Sequence, residues 1–185
     1  MKISLFNKNN KKYKKEAAEL LAQCFPHAYG NSALEEMDNI LKNAGICIMA
    51  EENGHLIGFV GAMPQYGVTG WELHPLVVHE NYRNKGIGRK LLSAVEKEIS
   101  LRGGITIYLG TDDEFYQTTL SGCDLYEDTF EKILNIKNIG RHPFEFYQKA
   151  GYKIVGVIPD ANGFGKPDIW MAKRIGSKVA LNKKI

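Results

Sequence analysis

The chain has 185 residues, 44% of them hydrophobic and 24% charged, and carries a formal net charge of +3. That composition fits one globular domain with a sizeable core, and no run of about 18 apolar residues is present to form a membrane-spanning helix. Three cysteines, Cys24, Cys47 and Cys123, are odd in number and widely spaced, which argues against a disulfide framework and against a CxxC metal site.

Met1–Phe6 reads as a short strand, and its basic residues follow the apolar stretch rather than precede it, the wrong order for a secretory signal. A cytoplasmic protein is expected. Lys11–Phe25 reads as a helix stopped by Pro26 and Gly30. Ser32 with Glu35 has capping-box spacing, so a second helix is expected to about Asn43. Gly45–Glu51 and His55–Met63 read as strands joined through Glu52-Asn53-Gly54, where Asn-Gly is a hairpin signal. Gln65-Tyr66-Gly67 is expected to be a loop before a strand at Trp71–Val78. Gly86–Arg102 is the best helix in the sequence. Ile87, Leu91, Val95 and Ile99 recur every fourth residue with Leu92 beside them, and Gly103-Gly104 ends the run. Ile105–Leu109 is an apolar run expected to be a buried central strand. A helix around Leu125–Asn135 follows, then a short one at Pro143–Ala150 with proline in its first turn and Gly151 as its stop. Tyr152–Ile158 and Asp168–Lys173 read as the last two strands. Strands and helices alternate around a mixed sheet, so the fold class is α/β or α+β. No repeat or linker divides the chain; a single domain over 1–185 is expected, with a basic tail from about 175.

The charge is uneven. Lysines cluster at both ends, with Lys178, Lys183 and Lys184 in the tail, whereas Asp112, Asp113, Glu114, Asp124, Glu127, Asp128 and Glu131 fall in a stretch with no Lys or Arg. Lysine-rich ends are usually solvated, so no nucleic-acid or membrane partner is inferred; the acidic stretch is suited to a cationic ligand.

Arg83-Asn84-Lys85-Gly86-Ile87-Gly88 joins a strand to the best helix. Glycines let this backbone turn, and the first N–H groups of the helix with its dipole make an anion site, with Arg83 and Lys85 adding positive charge. A pyrophosphate suits such a site, although neither the P-loop nor the dinucleotide glycine pattern is present.

The strand running to Val78, followed by Arg83-x-x-Gly86-x-Gly88 and a helix, resembles the acetyl-CoA pyrophosphate loop of the GNAT acetyltransferases, and Glu145-Phe146-Tyr147-Gln148-Lys149-Ala150-Gly151-Tyr152 resembles their later helix motif. Longer strings resemble aminoglycoside 6'-N-acetyltransferases of Gram-positive bacterial type: Gly70-Trp71-Glu72-Leu73-His74-Pro75-Leu76-Val77-Val78, Arg102–Asp113, Gly156–Gly163 and Lys166–Lys173. This resemblance runs from about Gly54 to Lys173. It implies a mostly antiparallel central sheet with a splayed pair of strands, flanked by helices, and acetyl-CoA as cosubstrate without a metal. It also implies a homodimer.

Glu72, His74 and Leu76 are spaced to project from one face of a strand. Glu72 suits either proton acceptance from an ammonium or its charge pairing. Pro75 cannot donate to a ladder, so a bulge is expected beside it. The resemblance implies that the Leu76 N–H faces the thioester carbonyl and that Leu76 and Val78 pair with the pantetheine arm. It implies that Arg83, Asn84, Lys85, Gly86, Ile87 and Gly88 hold the pyrophosphate and that Tyr147 lies near the CoA sulfur as the general acid. Glu72, Asp112 and Asp168 are the candidate ammonium partners, and Tyr66 the candidate wall for a sugar ring. The expected reaction is acetyl transfer to the 6' amine of an aminoglycoside in a ternary complex. A polyamine, metabolite or protein amine is an alternative acceptor, and a non-catalytic acetyl-CoA-binding regulator is an alternative function.

Overall fold

A computed structural model describes residues 1–42 and 45–176. Asn43, where the second helix was expected to end, and the tail lysines Lys178, Lys183 and Lys184 lie outside the described residues. Among the described residues, seven strands occur in the order β1-β2-β3-β4-β5-β7-β6, mostly antiparallel, with helices against them, in agreement with the expected class. The described residues divide into two compact units, one of residues 1–107 with 174–176 and the other Tyr108–Lys173.

In the first unit, β1 (Lys2–Leu5), β2 (Ile46–Glu52), β3 (His55–Tyr66) and β4 (Gly70–Val78) form an antiparallel meander with β1 paired to β2. The β2–β3 hairpin turns through Asn53 at φ 52° and Gly54 at φ 77°, the left-handed pair that a type I′ turn needs. Two helices, α1 (Lys11–Cys24) and α3 (Ala33–Lys42), cover one face. Ala17, Leu21, Met37 and Ile40 pack there with Cys47, Met49, Phe59 and Val77 from the strands. On the other face lies α4 (Ile87–Leu101), which buries the expected stripe Ile87, Leu91, Leu92, Val95 and Ile99. Gly58 faces it: an added Cβ would stand in van der Waals contact with Leu91 Cδ1, at 3.4 Å.

Two expectations are corrected here. Pro26 does not simply end a helix: it opens α2 (Pro26–Tyr29), because its fixed φ suits a first helical turn. The loop expected at Gln65-Tyr66-Gly67 starts later; Gln65 and Tyr66 extend β3, with Tyr66 opposite Gly70. A 3-10 turn at Glu80–Tyr82 follows β4.

The second unit holds most of β5 (Thr106–Asp112), with α5 (Thr129–Leu134), α6 (Phe144–Lys149), β6 (Lys153–Ile158) and β7 (Asp168–Arg174). β5 is not buried on both faces as its apolar run suggested. Ile107, Leu109 and Thr111 are buried, while Tyr108, Gly110 and Asp112 are not, so one face is left to solvent. The helix expected at Leu125–Asn135 is shorter, beginning after Asp128, whose φ of 48° is left-handed and interrupts helical geometry.

Buried Asp113 organises the loop after β5. Its carboxylate accepts the Gln117 N–H at 2.7 Å, the Thr118 N–H at 2.8 Å and the Ser121 hydroxyl. Burial pushes this carboxyl up, but the Ser121, Gln117 and Thr118 donors together hold it below the ordinary value.

Candidate active site

Register decides what β4 presents. Val60 pairs with Leu76, but Ala62 pairs with Leu73, so β4 carries one extra residue opposite Gly61. This is the bulge that Pro75 signalled. Gly61 makes room for it: an added Cβ would stand 2.5 Å from the His74 carbonyl oxygen.

The bulge overturns the expectation that Glu72, His74 and Leu76 share a face. Directly paired residues of an antiparallel ladder point the same way. Val77 pairs with Phe59 and Glu72 with Met63, so both face the α1–α3 side. Leu76 pairs with Val60 and Val78 with Gly58, on the α4 side. One inserted residue therefore sends the acceptor candidate Glu72, with His74, to one side and the candidate pantetheine partners Leu76 and Val78 to the other.

Glu72 is half-buried and accepts a hydrogen bond from Gln65 Nε2 at 2.8 Å. Tyr66, exposed, lies across Gly70, where an added Cβ would come within 2.9 Å of its ring. Gly70 and Glu72 are two residues apart on the strand, so Tyr66 and Glu72 sit on the same side. His74 is held at Nε2 by the Tyr29 hydroxyl, 2.7 Å away, with Glu36 Oε1 at 3.9 Å from the same nitrogen. Sequence reasoning found neither Tyr29 nor Glu36, since partners from separate helices leave no spacing signal.

The turn into α4 is built as expected. Asn84 at φ 61° and Gly86 at φ 77° are left-handed, and nothing lies within 4 Å of a Cβ added at Gly86. Arg83 folds back, its Nε donating to the Val78 carbonyl at 3.0 Å and its guanidinium to Cys24 Sγ at 3.4 Å. Lys85 rests over the Tyr82 ring at 5.2 Å. The first turn, from Ile87 and Gly88, carries no acid but does carry Arg89 and Lys90. Cations at that end oppose the helix dipole, an arrangement that suits an anionic ligand rather than the bare helix.

In the second unit, Asp112 and Asp168 come to one open face. A Cβ on Gly110 would stand 2.7 Å from Asp168 Oδ1 and closer still to Oδ2, which puts the Gly110 and Asp168 sides together. Tyr108 stacks on Trp170 on that same face, with ring centroids 5.6 Å apart. Trp170 Nε1 donates to Asp168 Oδ2 at 2.7 Å, and Asn162 Nδ2 donates to Asp112 Oδ1 at 2.6 Å. Tyr108, Gly110 and Trp170 were not singled out from sequence, although the period-two spacing with Asp112 and Asp168 carries that signal.

Tyr147 is buried on α6, edge-on to Phe146 and Tyr152 with centroids at 5.1 and 5.6 Å. Burial pushes its phenol well above the ordinary value, so it keeps its proton at neutral pH. α6 is tied to β5 through buried His142. The His142 ring donates from Nε2 to the Asp112 carbonyl at 3.1 Å and accepts the Phe144 N–H at Nδ1 at 3.2 Å. That pairing defines a neutral imidazole, consistent with burial pushing its pKa below the ordinary value. His142 was not foreseen. Among the described residues, no three His, Cys, Asp or Glu side chains cluster so as to hold a metal, and no helix is long and apolar enough to cross a membrane.

The sequence matches the Acetyltransferase (GNAT) family over residues 14–128, and the chain belongs to that family. Among solved structures it is similar to an aminoglycoside 6'-N-acetyltransferase complexed with coenzyme A. The two share 54% identity over 95% of this chain and 97% of that one, with a TM-score of 0.93. The aminoglycoside 6'-N-acetyltransferase from Enterococcus faecium shares 53% identity over the same fractions, with a TM-score of 0.91. An aminoglycoside 6'-acetyltransferase type Ii shares 46%, again over 95% and 97%, with a TM-score of 0.77. No curated protein matches the sequence.

Proposed function

We propose that this protein transfers an acetyl group from acetyl-CoA to the 6' amine of an aminoglycoside, and that its two units act as one catalytic domain in a cytoplasmic homodimer. The observation that carries the acceptor class is the open face of β5 and β7, where two carboxylates flank a Tyr108–Trp170 stack. A polycationic sugar needs carboxylates for its ammonium groups and flat apolar surface for its rings. Similarity to three aminoglycoside acetyltransferases over nearly the whole chain supports the same reading.

The α4 turn fits acetyl-CoA. Arg83, Asn84, Lys85, Gly86, Ile87 and Gly88 hold its pyrophosphate through backbone N–H groups and positive charge, and Leu76 and Val78 hold the arm along β4. Bound acetyl-CoA supplies a thioester whose C–S bond breaks as the new N–C bond forms. The acceptor ammonium loses two protons on becoming an amide: Glu72 takes the first, which frees the amine to attack, and the second offsets the one that Tyr147 gives to sulfur. The Leu76 N–H, beside the bulge, donates to the oxygen on which negative charge develops. Tyr147, whose burial keeps its phenol protonated, gives a proton to the departing sulfur. Asp112 and Asp168 neutralise the other ammonium groups, and Tyr66 walls the sugar on the Glu72 side.

The test is acetyl-CoA turnover, read as free thiol, with kanamycin or tobramycin as acceptor and spermidine in parallel. Saturable turnover with the aminoglycoside and little with spermidine is expected. Preference for spermidine would move the acceptor class to polyamines, and turnover with neither would leave a coenzyme-binding protein.

A further inference from the structure

His74 stands at the bulge of β4, 40% exposed, on the side that Glu72 faces. A surface imidazole samples both tautomers and several ring orientations in water. This one is restrained. The Tyr29 hydroxyl meets Nε2 at 2.7 Å, and the Tyr29 ring stands edge-on to the imidazole with centroids 6.0 Å apart. Phe25 stands edge-on to Tyr29 in turn, at 6.2 Å. Two other charged or titratable groups belong to this surrounding: Glu36 on α3, whose Oε1 is 3.9 Å from Nε2, and Glu72 two residues back on β4.

Tyr29 comes from α2, which buries none of its residues. Tyr29 packs part-buried against the core cluster under α1 and α3, which sets its ring in place. Toward His74, α2 delivers the Tyr29 hydroxyl on Nε2 and the edge of its ring. With Nε2 engaged, Nδ1 is the nitrogen left to meet a ligand, and the tautomer follows from what Tyr29 does at Nε2.

We propose that Tyr29 is a positioning residue for acetyl transfer: its hydroxyl locks His74 by Nε2 and so fixes the ring and the nitrogen that meet the acceptor amine. Locking a ring before the acceptor arrives removes an ordering cost from the reaction. This rests on the acetyltransferase function proposed above.

A double-mutant cycle with acetyl-CoA and kanamycin tests it, using the wild type, Tyr29→Phe, His74→Ala and the double variant. Tyr29→Phe keeps the ring contacts and loses only the hydroxyl. One such hydrogen bond corresponds to a fall of about tenfold in kcat/KM for kanamycin, with KM for acetyl-CoA unchanged. In the His74→Ala background the same substitution has no further effect. An equal loss in both backgrounds would reveal a structural role and overturn the proposal, as would full activity of Tyr29→Phe. A second measurement needs no acceptor. In nitrogen-15 spectra of the histidine rings, His74 shows one tautomer in the wild type and a mixture in Tyr29→Phe; identical spectra overturn the lock. If the wild type acetylates no aminoglycoside, the proposed function falls while the spectra still decide the fate of the lock.

Discussion

Gly110 gives a clean handle on the proposed acceptor face. A methyl group there meets Asp168 Oδ1 at 2.7 Å and Cγ at 2.9 Å, whereas ordinary contact starts at 3.4 Å. The carboxylate must therefore retreat by most of an ångström. Its bond from Trp170 Nε1, now 2.7 Å, stretches past the useful range. Only the end of a side chain moves, and alanine restrains the unfolded chain more than glycine does, so the net stability change of Gly110→Ala is within about 1 kcal/mol. Acceptor binding is another matter. A hydrogen bond to a charged group contributes about 1.5–3 kcal/mol, which is about 10- to 150-fold in affinity. The assay is steady-state kinetics of both substrates, beside a thermal melt and the companion variant Asp168→Asn. KM for kanamycin is expected to rise by that factor in both variants, with KM for acetyl-CoA unchanged. An unchanged kanamycin KM in both would refute the acceptor role of Asp168. A melt lowered by more than about 4 °C in Gly110→Ala would refute the argument that only a side-chain end yields.

Tyr147→Phe is expected to lower kcat about a hundredfold while calorimetric binding of coenzyme A stays the same. Because burial raises this phenol, the wild-type kcat profile loses nothing through Tyr147 below about pH 10; an alkaline loss below that value that Tyr147→Phe removes contradicts the assignment. Gly61→Ala sets a Cβ against the His74 carbonyl oxygen, a backbone atom that cannot swing away, and is expected to cost about 1–3 kcal/mol in urea unfolding; a wild-type midpoint would show that the bulge does not need glycine. Asp113→Asn puts an amide donor among three donors and is expected to cost about 1–3 kcal/mol. Since the native carboxyl is held below its unfolded value of about 3.9, its contribution is complete above that pH and is lost as pH falls toward the native value. Melts of wild type and Asp113→Asn from pH 7 to pH 3 should therefore converge in acid, and parallel curves would refute this.

Local chemistry in the chain foretold the elements whose signals are local. The Asn53-Gly54 turn, the fourfold stripe of α4 and its glycine start were all legible, because each is a property of a few adjacent residues. Pro75 announced a bulge as well, but not its consequence. That Leu76 turns away from Glu72 follows only from pairing with Val60, and register is a fact about two strands. The apolar look of Ile105–Leu109 misled for a related reason: Tyr108 can be read as core or as half-exposed stacking surface, and Trp170, sixty-two positions later, decides which. The partners of His74 and the ties of His142 were invisible on the same grounds.

The alternation along β5 and β7 assigns two jobs to interleaved positions. Ile107, Leu109, Thr111, Ile169 and Met171 are the buried set, while Tyr108, Gly110, Asp112, Asp168 and Trp170 are not buried. If the second set meets the acceptor as proposed, acceptor preference can be changed there one residue at a time while the fully buried set stays as it is. For a catalyst directed at a varied class of compounds, that makes substrate range and thermal resistance separately adjustable properties of the same two strands.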